Sequence, residues 1–433
     1  MHRVANWAPI LEPGTNAALE AQDAVCTIAR VIRDSYPAVS TFHGRPLLHE
    51  NSLLFGYLAR AGWPGDWAEL AATHLNLAVD LAVDRVATDA GGLGLYGGLC
   101  GLGWVLDHLN AALGGAAVTP DSQPDLNQDT DEVVIRALGR SWRNKPYDLI
   151  SGLVGCGVYF LERMPRESAA RGVGLVVSQL ENLAHHADGC LTWYSGPELL
   201  PDWERKHHPH GYFNLGVAHG IPGILHFLSE SAAAGVERPR CARLLEQAMH
   251  WFIARRRPQG SKSWYGEWLD DGKQNDSRLA WCYGDLGILA VMLQIARRTD
   301  RRDWQEFAAG LLQDCLERSE HMAEAGVKDA PLCHGAVGVA HIFNRIYQAE
   351  GNPRCRAASL VWFERALSMR RPGFGLAGFS TWRIAHGQDA LWESNPAFID
   401  GAIGVALALL AALTPIDPGW DRMLLLSGRH FGQ

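Results

Sequence analysis

The sequence predicts an all-α fold: an α/α toroid of six inner and six outer helices, an (α/α)6 barrel, as a single domain over residues 1–433. Three observations carry this. A Gly-x-x-Gly step followed by an apolar helical pattern occurs six times between about residues 90 and 413, and self-similarity of this kind marks a stack of repeated units. The first glycines lie 54, 68, 64, 51 and 66 residues apart, room for two helices and a loop. The helices after the glycines are apolar nearly all round, whereas those between them carry Glu and Arg on one side, as inner and outer layers require.

In order, Gly98-Leu99-Cys100-Gly101 leads into an inner helix over Leu102–Leu109. Gly152-Leu153-Val154-Gly155 leads into Cys156–Leu161, and Gly220–Gly223 into Ile224–Leu228. Gly284–Gly287 precedes Ile288–Ile295, Gly335–Gly338 precedes Val339–Ile346, and Gly401–Gly404 precedes Val405–Leu413. The segments 68–87, 132–143, 173–186, 241–257, 304–318 and 357–371 read as outer helices. Strand signals are few: Leu191-Thr192-Trp193-Tyr194 and the stretch 260–268 are the extended candidates. The stretch 114–131, rich in Pro, Asp and Gln, reads as a solvated loop. The longer connections 197–210 and 372–396 precede inner helices, where loops on one face of a scaffold make substrate contacts.

Composition narrows the function classes. The net charge of −8 and the lack of a long basic run argue against nucleic acid. Nine cysteines without framework spacing, behind an N-terminus lacking a signal-peptide core, point to free thiols in a reducing cytoplasm. No apolar run reaches the roughly 18 residues of a membrane span.

The chemistry gathers just before the glycines of repeats three, four and five: Ala218-His219-Gly220, Trp281-Cys282-Tyr283-Gly284 and Leu332-Cys333-His334-Gly335. The other three repeats offer Tyr96-Gly97, Ile150-Ser151 and Ile399-Asp400, with no thiol or imidazole. Cys282, Cys333 and His334 make a Cys2His set for one zinc, with a fourth position open as catalytic sites keep it. A lone Cys before Gly would read as a buried packing residue; three neighbouring repeats carrying such residues read as a metal site. His219 either completes a closed structural site or stands free as an acid/base, and three protein ligands favour the second role. Tyr283, Arg278 and Asp148 taken singly are an ordinary Tyr, a solvated Arg and a helix-capping Asp. His226 and His341, seven residues after His219 and His334, read as core or pore-lining residues.

Ala-His-Gly-Ile-Pro-Gly, Trp-Cys-Tyr-Gly-x-x-Gly and Cys-His-Gly-x-x-Gly, in that order, resemble the motifs of the LanC lanthionine synthetase cyclases. The resemblance implies an α/α toroid with catalytic zinc held by Cys282, Cys333 and His334. It also implies His219 as acid/base, Asp148 as its support, and Arg278 and Tyr283 as active-site residues. The implied reaction is Michael-type addition of a peptide cysteine to dehydroalanine or dehydrobutyrine, closing thioether rings. The implied partners are a dehydrated precursor peptide with its leader, and a dehydratase and exporter in a membrane-associated complex, with this chain cytoplasmic or peripheral at the membrane's inner face. Ala280 stands where many members have Ser, and Phe398-Ile399-Asp400-Gly401 replaces a common Leu-Glu-Gly; neither falls on a ligand position. Some bacterial members carry a small inserted domain. Other readings are a LanC-like zinc protein adding glutathione or acting on other peptides, a zinc-dependent thiol alkyltransferase, and a non-catalytic peptide-binding scaffold with structural zinc.

Overall fold

The structure is a computed structural model describing residues 7–38, 41–87, 92–113, 125–384 and 390–429. Among these residues the helices run α1 Asn16–Asp34, α2 Leu48–Arg60, α3 Trp67–Ala87, α4 Leu99–Leu113, α5 Gln128–Leu138, α6 Leu153–Glu162, α7 Glu167–Asn182, α8 Asp202–His207, α9 Ile221–Ala233, α10 Arg238–Ile253, α11 Asp285–Arg298, α12 Arg302–Glu320, α13 Met322–Ala325, α14 Ala336–Glu350, α15 Pro353–Ser368 and α16 Ala402–Leu413. The strands are short: β1 Thr41–Phe42, β2 Arg45–Pro46, β3 His185–Ala187, β4 Cys190–Thr192, β5 Phe213–Asn214, β6 Trp268–Asp270, β7 Lys273–Gln274, β8 Thr381–Ile384 and β9 Ala390–Glu393. All pair antiparallel, β5–β6–β7 as three strands and the rest as two-stranded hairpins.

The chain divides into two compact units. One comprises Met1–Asp84, Arg278–Trp281 and Asp314–Trp420; the other comprises Arg85–Ser277, Cys282–Gln313 and Asp421–Gln433. In the second unit the inner helices pack in series, α4 on α6, α6 on α9 and α9 on α11. Helices α5, α7 and α10 lie against α4, α6 and α9. In the first unit α14 packs on α16 and α16 on α2, with α15 and α1 outside. Burial follows the layers. Every residue of α6 is buried, as are Ala402 to Ala412 of α16. Helix α1 instead buries a single stripe, Ala18, Ala21, Val25, Ile28 and Ile32 among it, at the three- and four-residue spacing of an amphipathic helix.

The six glycine-led helices stand where the sequence places them, each starting three residues earlier than expected. Helix α2 is a seventh helix buried along most of its length, from Leu48 to Leu58, and it has no glycine step. The N-terminal stretch serves as outer cover for the last inner helix: Trp7 Nε1 donates to the Ala411 carbonyl (2.8 Å), and the Ile10 and Leu11 amides to that of Ala412.

Several local expectations change. The outer helix expected over 173–186 ends at Asn182, and His185–Ala187 forms a strand paired with Cys190–Thr192. The loop expected over 114–131 falls outside the described residues from 114 to 124, and α5 already begins at Gln128. Of the 260–268 stretch only Trp268 is strand. The connection 197–210 contains α8, and 372–396 contains the β8–β9 hairpin.

The glycine steps have a shared physical cause. The first amides of a helix have no partner inside it. Here they bond to the loop just before the helix, seven residues back: Leu99 to Gly92, Leu153 to Pro146, Ala336 to Asp329 and Ala402 to Asn395, at 2.9 to 3.3 Å. The loop must therefore lie against the helix start. A Cβ on Gly155, Gly223, Gly338 or Gly404 would run into the carbonyl six residues earlier. Gly284, at φ 152°, adds a backbone conformation that side-chain-bearing residues rarely adopt.

At the C-terminal end of α6, Glu162 is buried and accepts from Arg422 Nη2 (2.6 Å) and Nε (2.8 Å), with His108 Nδ1 at 3.0 Å. Burial alone would raise its pKa, but Arg422 and His108 hold it at about 2, below the usual 4.5. Its stabilisation is complete above pH 4.5 and is lost as the pH falls from there through about 2. Glu162→Gln, which removes the negative charge facing Arg422, should cost about 3–5 kcal/mol in urea unfolding at pH 7. That deficit should shrink on acidification through the same window.

Candidate active site

The loops before successive inner helices are joined by backbone hydrogen bonds. Tyr96 donates to the Ile150 carbonyl (3.2 Å), Leu149 to Ala218 (3.1 Å) and Ala218 to Cys282 (3.4 Å). Trp281 donates to Cys333 (3.1 Å) and Cys333 to Ile399 (2.7 Å). Phe398 ends the series on a side chain, Glu50 Oε2 of α2, at 2.7 Å.

The Trp281 amide bound to the Cys333 carbonyl carries its covalent neighbour Cys282 to the same place. The donor atoms of Cys282, Cys333 and His334 all lie within 4.8 Å of one another. Cys282 is buried and the other two half-buried. Two thiols and an imidazole this close suit a tetrahedral zinc with one open position, and the cluster could hold such an ion. His334 Nε2 lies 3.3 Å from Asp329 Oδ2 and donates to the Trp382 carbonyl, also at 3.3 Å. Both neighbours only accept, so the proton is on Nε2 and the lone pair on Nδ1.

Two bonds fix His219 and Asp148. Asp148 Oδ2 accepts from His219 Nδ1 at 2.6 Å, leaving Nε2 with the lone pair. Asp148 Oδ1 accepts from the Ser151 amide (3.1 Å) and hydroxyl (3.3 Å) at the start of α6. One carboxylate thus both caps a turn and holds the imidazole. Loss of water around His219 works against protonation, but the Asp148 bond and charge outweigh it and raise the pKa above 6.5.

Tyr283 lies nearly parallel to the His219 ring, centroids 5.9 Å apart, and its hydroxyl accepts from Asn214 Nδ2 (3.1 Å). A Cβ at Gly216 would fall 2.5 Å from both the Cys282 carbonyl and the Tyr283 ring, so only glycine lets β5's loop lie this close. Arg278 sits with its guanidinium 5.8 Å from the centre of the Trp382 indole, which Lys328 also approaches at 4.0 Å. Arg278 therefore reaches the cluster's surroundings through Trp382. His226 and His341 are core residues. His226 bonds to Gln294 (3.1 Å) and burial drops its pKa to about 3; His341 stacks on Trp420 at 4.7 Å.

Sequence reasoning passed over Asp329, Asn214 and Trp382. Asp329 had a legible signal. It fills the loop slot seven residues before its helix that Gly92, Pro146 and Asn395 fill elsewhere, and is the one carboxylate among those four.

A helical fold with a thiol–imidazole cluster at the starts of buried helices defines a narrow class of protein. The sequence profile of the lanthionine synthetase C-like proteins matches residues 52–425, and the chain belongs to that family. Nisin cyclase, an α/α toroid, superposes with a TM-score of 0.69 at 20% identity, covering 95% of this chain and 98% of its own. The fold is that toroid. "Glutathione S-transferase LANCL1" of Danio rerio is 25% identical over 178 residues, 40% of this chain and 39% of its own. "Nisin biosynthesis protein NisC" of Lactococcus lactis subsp. lactis is 24% identical over 208 residues, 45% of this chain and 48% of its own. The chain thus spans less than half the length of the curated relatives it matches. No helix among the described residues is long and apolar enough to cross a membrane.

Proposed function

We propose that the protein is a zinc-dependent lanthipeptide cyclase. The Cys282, Cys333 and His334 donor cluster carries this reading, with the family membership behind it. Cys282 Sγ, Cys333 Sγ and His334 Nδ1 would hold the ion, one per chain, and zinc when bound would lower the pKa of a substrate thiol. The chain's own residues handle the rest. His219, oriented by Asp148, takes the thiol proton at Nε2 or delivers one to carbon. The sulfur bonds to Cβ of a dehydroalanine or dehydrobutyrine, and the C=C π pair moves onto the Cα–carbonyl enolate. Arg278 and Tyr283 meet that charge, and a proton at Cα completes the thioether with no change in mass. The substrate is a dehydrated precursor peptide with its leader, and the associated partners are a dehydratase and an exporter at the inner face of the membrane.

The test is incubation of the zinc-loaded protein with a dehydrated peptide. Alkylatable thiol should disappear while peptide mass stays constant; thiol that survives while zinc is bound sinks the proposal. The similarity to a protein named for glutathione transfer favours one second reading. In that case the peptide gains the mass of glutathione instead of closing on itself.

A further inference from the structure

We infer that Asp329 is a positioning residue of the metal centre, holding His334 with Nδ1 toward the ion and tying the β8–β9 hairpin to the same point. The inference rests on the proposed zinc site and adds a residue to it.

Asp329 is 2% exposed. Its Oδ2 has two neighbours, His334 Nε2 at 3.3 Å and the Trp382 amide, which donates at 2.9 Å. Its Oδ1 is buried without a hydrogen-bond partner. Its backbone carbonyl accepts from Ala336 (2.9 Å), closing the loop that presents Cys333 and His334. An anion taken out of water needs a compensating positive charge or a full set of donors. Among the described residues Asp329 has no Lys or Arg in ion-pair range, only the imidazole. That arrangement is costly in isolation and sensible beside a cation reached through the ring. A carboxylate on the far nitrogen fixes the tautomer and plane of a metal-bound imidazole and makes it a stronger donor.

The same oxygen anchors the hairpin. The Trp382 backbone donates to Asp329 through its N–H and accepts from His334 through its carbonyl, so strand β8 and the ligand share one junction. The Trp382 ring carries Arg278 above it, which places a proposed active-site cation on the same support. The Asp148–His219 pair is a 2.6 Å hydrogen bond where Asp329 and His334 are in contact at 3.3 Å, and its imidazole is not among the clustered donors. One Asp–His pair orients a proton carrier; the other orients a ligand.

The experiment compares wild type, Asp329→Asn and Asp329→Ala without peptide. Cobalt(II) and zinc affinity are read by competition with a chelator, the cobalt site by its visible d–d and thiolate charge-transfer bands, and the Trp382 amide by hydrogen exchange. Asp329→Ala should weaken metal binding roughly 10–100-fold, shift the d–d bands and lose protection at Trp382. Asp329→Asn keeps the size and an acceptor but not the charge, so it should retain Trp382 protection and still weaken the metal. If the Ala variant does not fold, the Asn variant decides alone. Wild-type affinity and an unchanged spectrum in Asp329→Asn overturn the inference while leaving the zinc site standing. A wild type that takes up no cobalt overturns the zinc site itself.

Discussion

Cys333→Ala should yield a folded protein that carries essentially no zinc and closes no rings. Cys333 is pinned from both sides, its amide on the Ile399 carbonyl and its own carbonyl on the Trp281 amide. Those bonds are backbone, so alanine keeps them and the loop keeps its path. What goes is one of two thiolates in a three-ligand set. The loss should exceed the roughly 10–100-fold that follows removal of a ligand's supporting partner. Metal per chain by plasma mass spectrometry and residual alkylatable thiol in a dehydrated peptide are the two readouts. A variant with full zinc and wild-type turnover would remove Cys333 from the ligand set. Cys282→Ala should behave alike, since the Ala218 amide bonds to the backbone of Cys282 and not to its sulfur.

His219→Ala should separate metal binding from catalysis. The imidazole bonds to Asp148 and stacks on Tyr283, and neither is among the clustered donors. Zinc content should stay at the wild-type level while cyclisation falls by about 10²–10⁴-fold, the usual worth of a positioned acid/base. Asp148→Asn should fall in the same direction by less. Its amide can donate to Nδ1 and favour the wrong tautomer, while its oxygen can still accept from Ser151. Unchanged single-turnover ring closure in His219→Ala would assign the proton transfers elsewhere.

The parts of this molecule that the sequence made legible are those governed by local sterics. Glycine recurs where a loop lies on a helix start, and that requirement is the same in every repeat, so Gly98, Gly152 and Gly335 announce themselves. Cys282, Cys333 and His334 were legible as a group because they occupy the two positions before those glycines. Helix α2 was not, because its place in the series is marked by the Glu50 carboxylate accepting from Phe398, some 350 residues away in sequence. Asp148 looked like a helix cap; it instead closes the turn at Ser151 ahead of α6, whose N-cap is Gly152, and its second oxygen found His219 only through tertiary structure. Asn214 reaches Tyr283 across 69 residues, and no spacing rule reports it. Asp329 shows only as the carboxylate in the slot seven residues before its helix, and its bond to Trp382 spans 53 residues. The β8–β9 hairpin was hidden inside a connection whose aromatic and charged residues read as irregular.

The backbone hydrogen bonds between neighbouring loops bear on how this architecture tolerates change in chain length. Each loop is aligned to the next at its own base, so the helices between loops can lengthen or shorten without moving the thiols. The uneven spacing of the glycine steps, 51 to 68 residues, is what such freedom leaves behind. The tolerance ends abruptly inside the loops. One residue added between Asp329 and Ala336 would break the seven-residue closure and carry His334 out of reach of Cys282, whereas several added between α14 and α15 would only extend a surface turn.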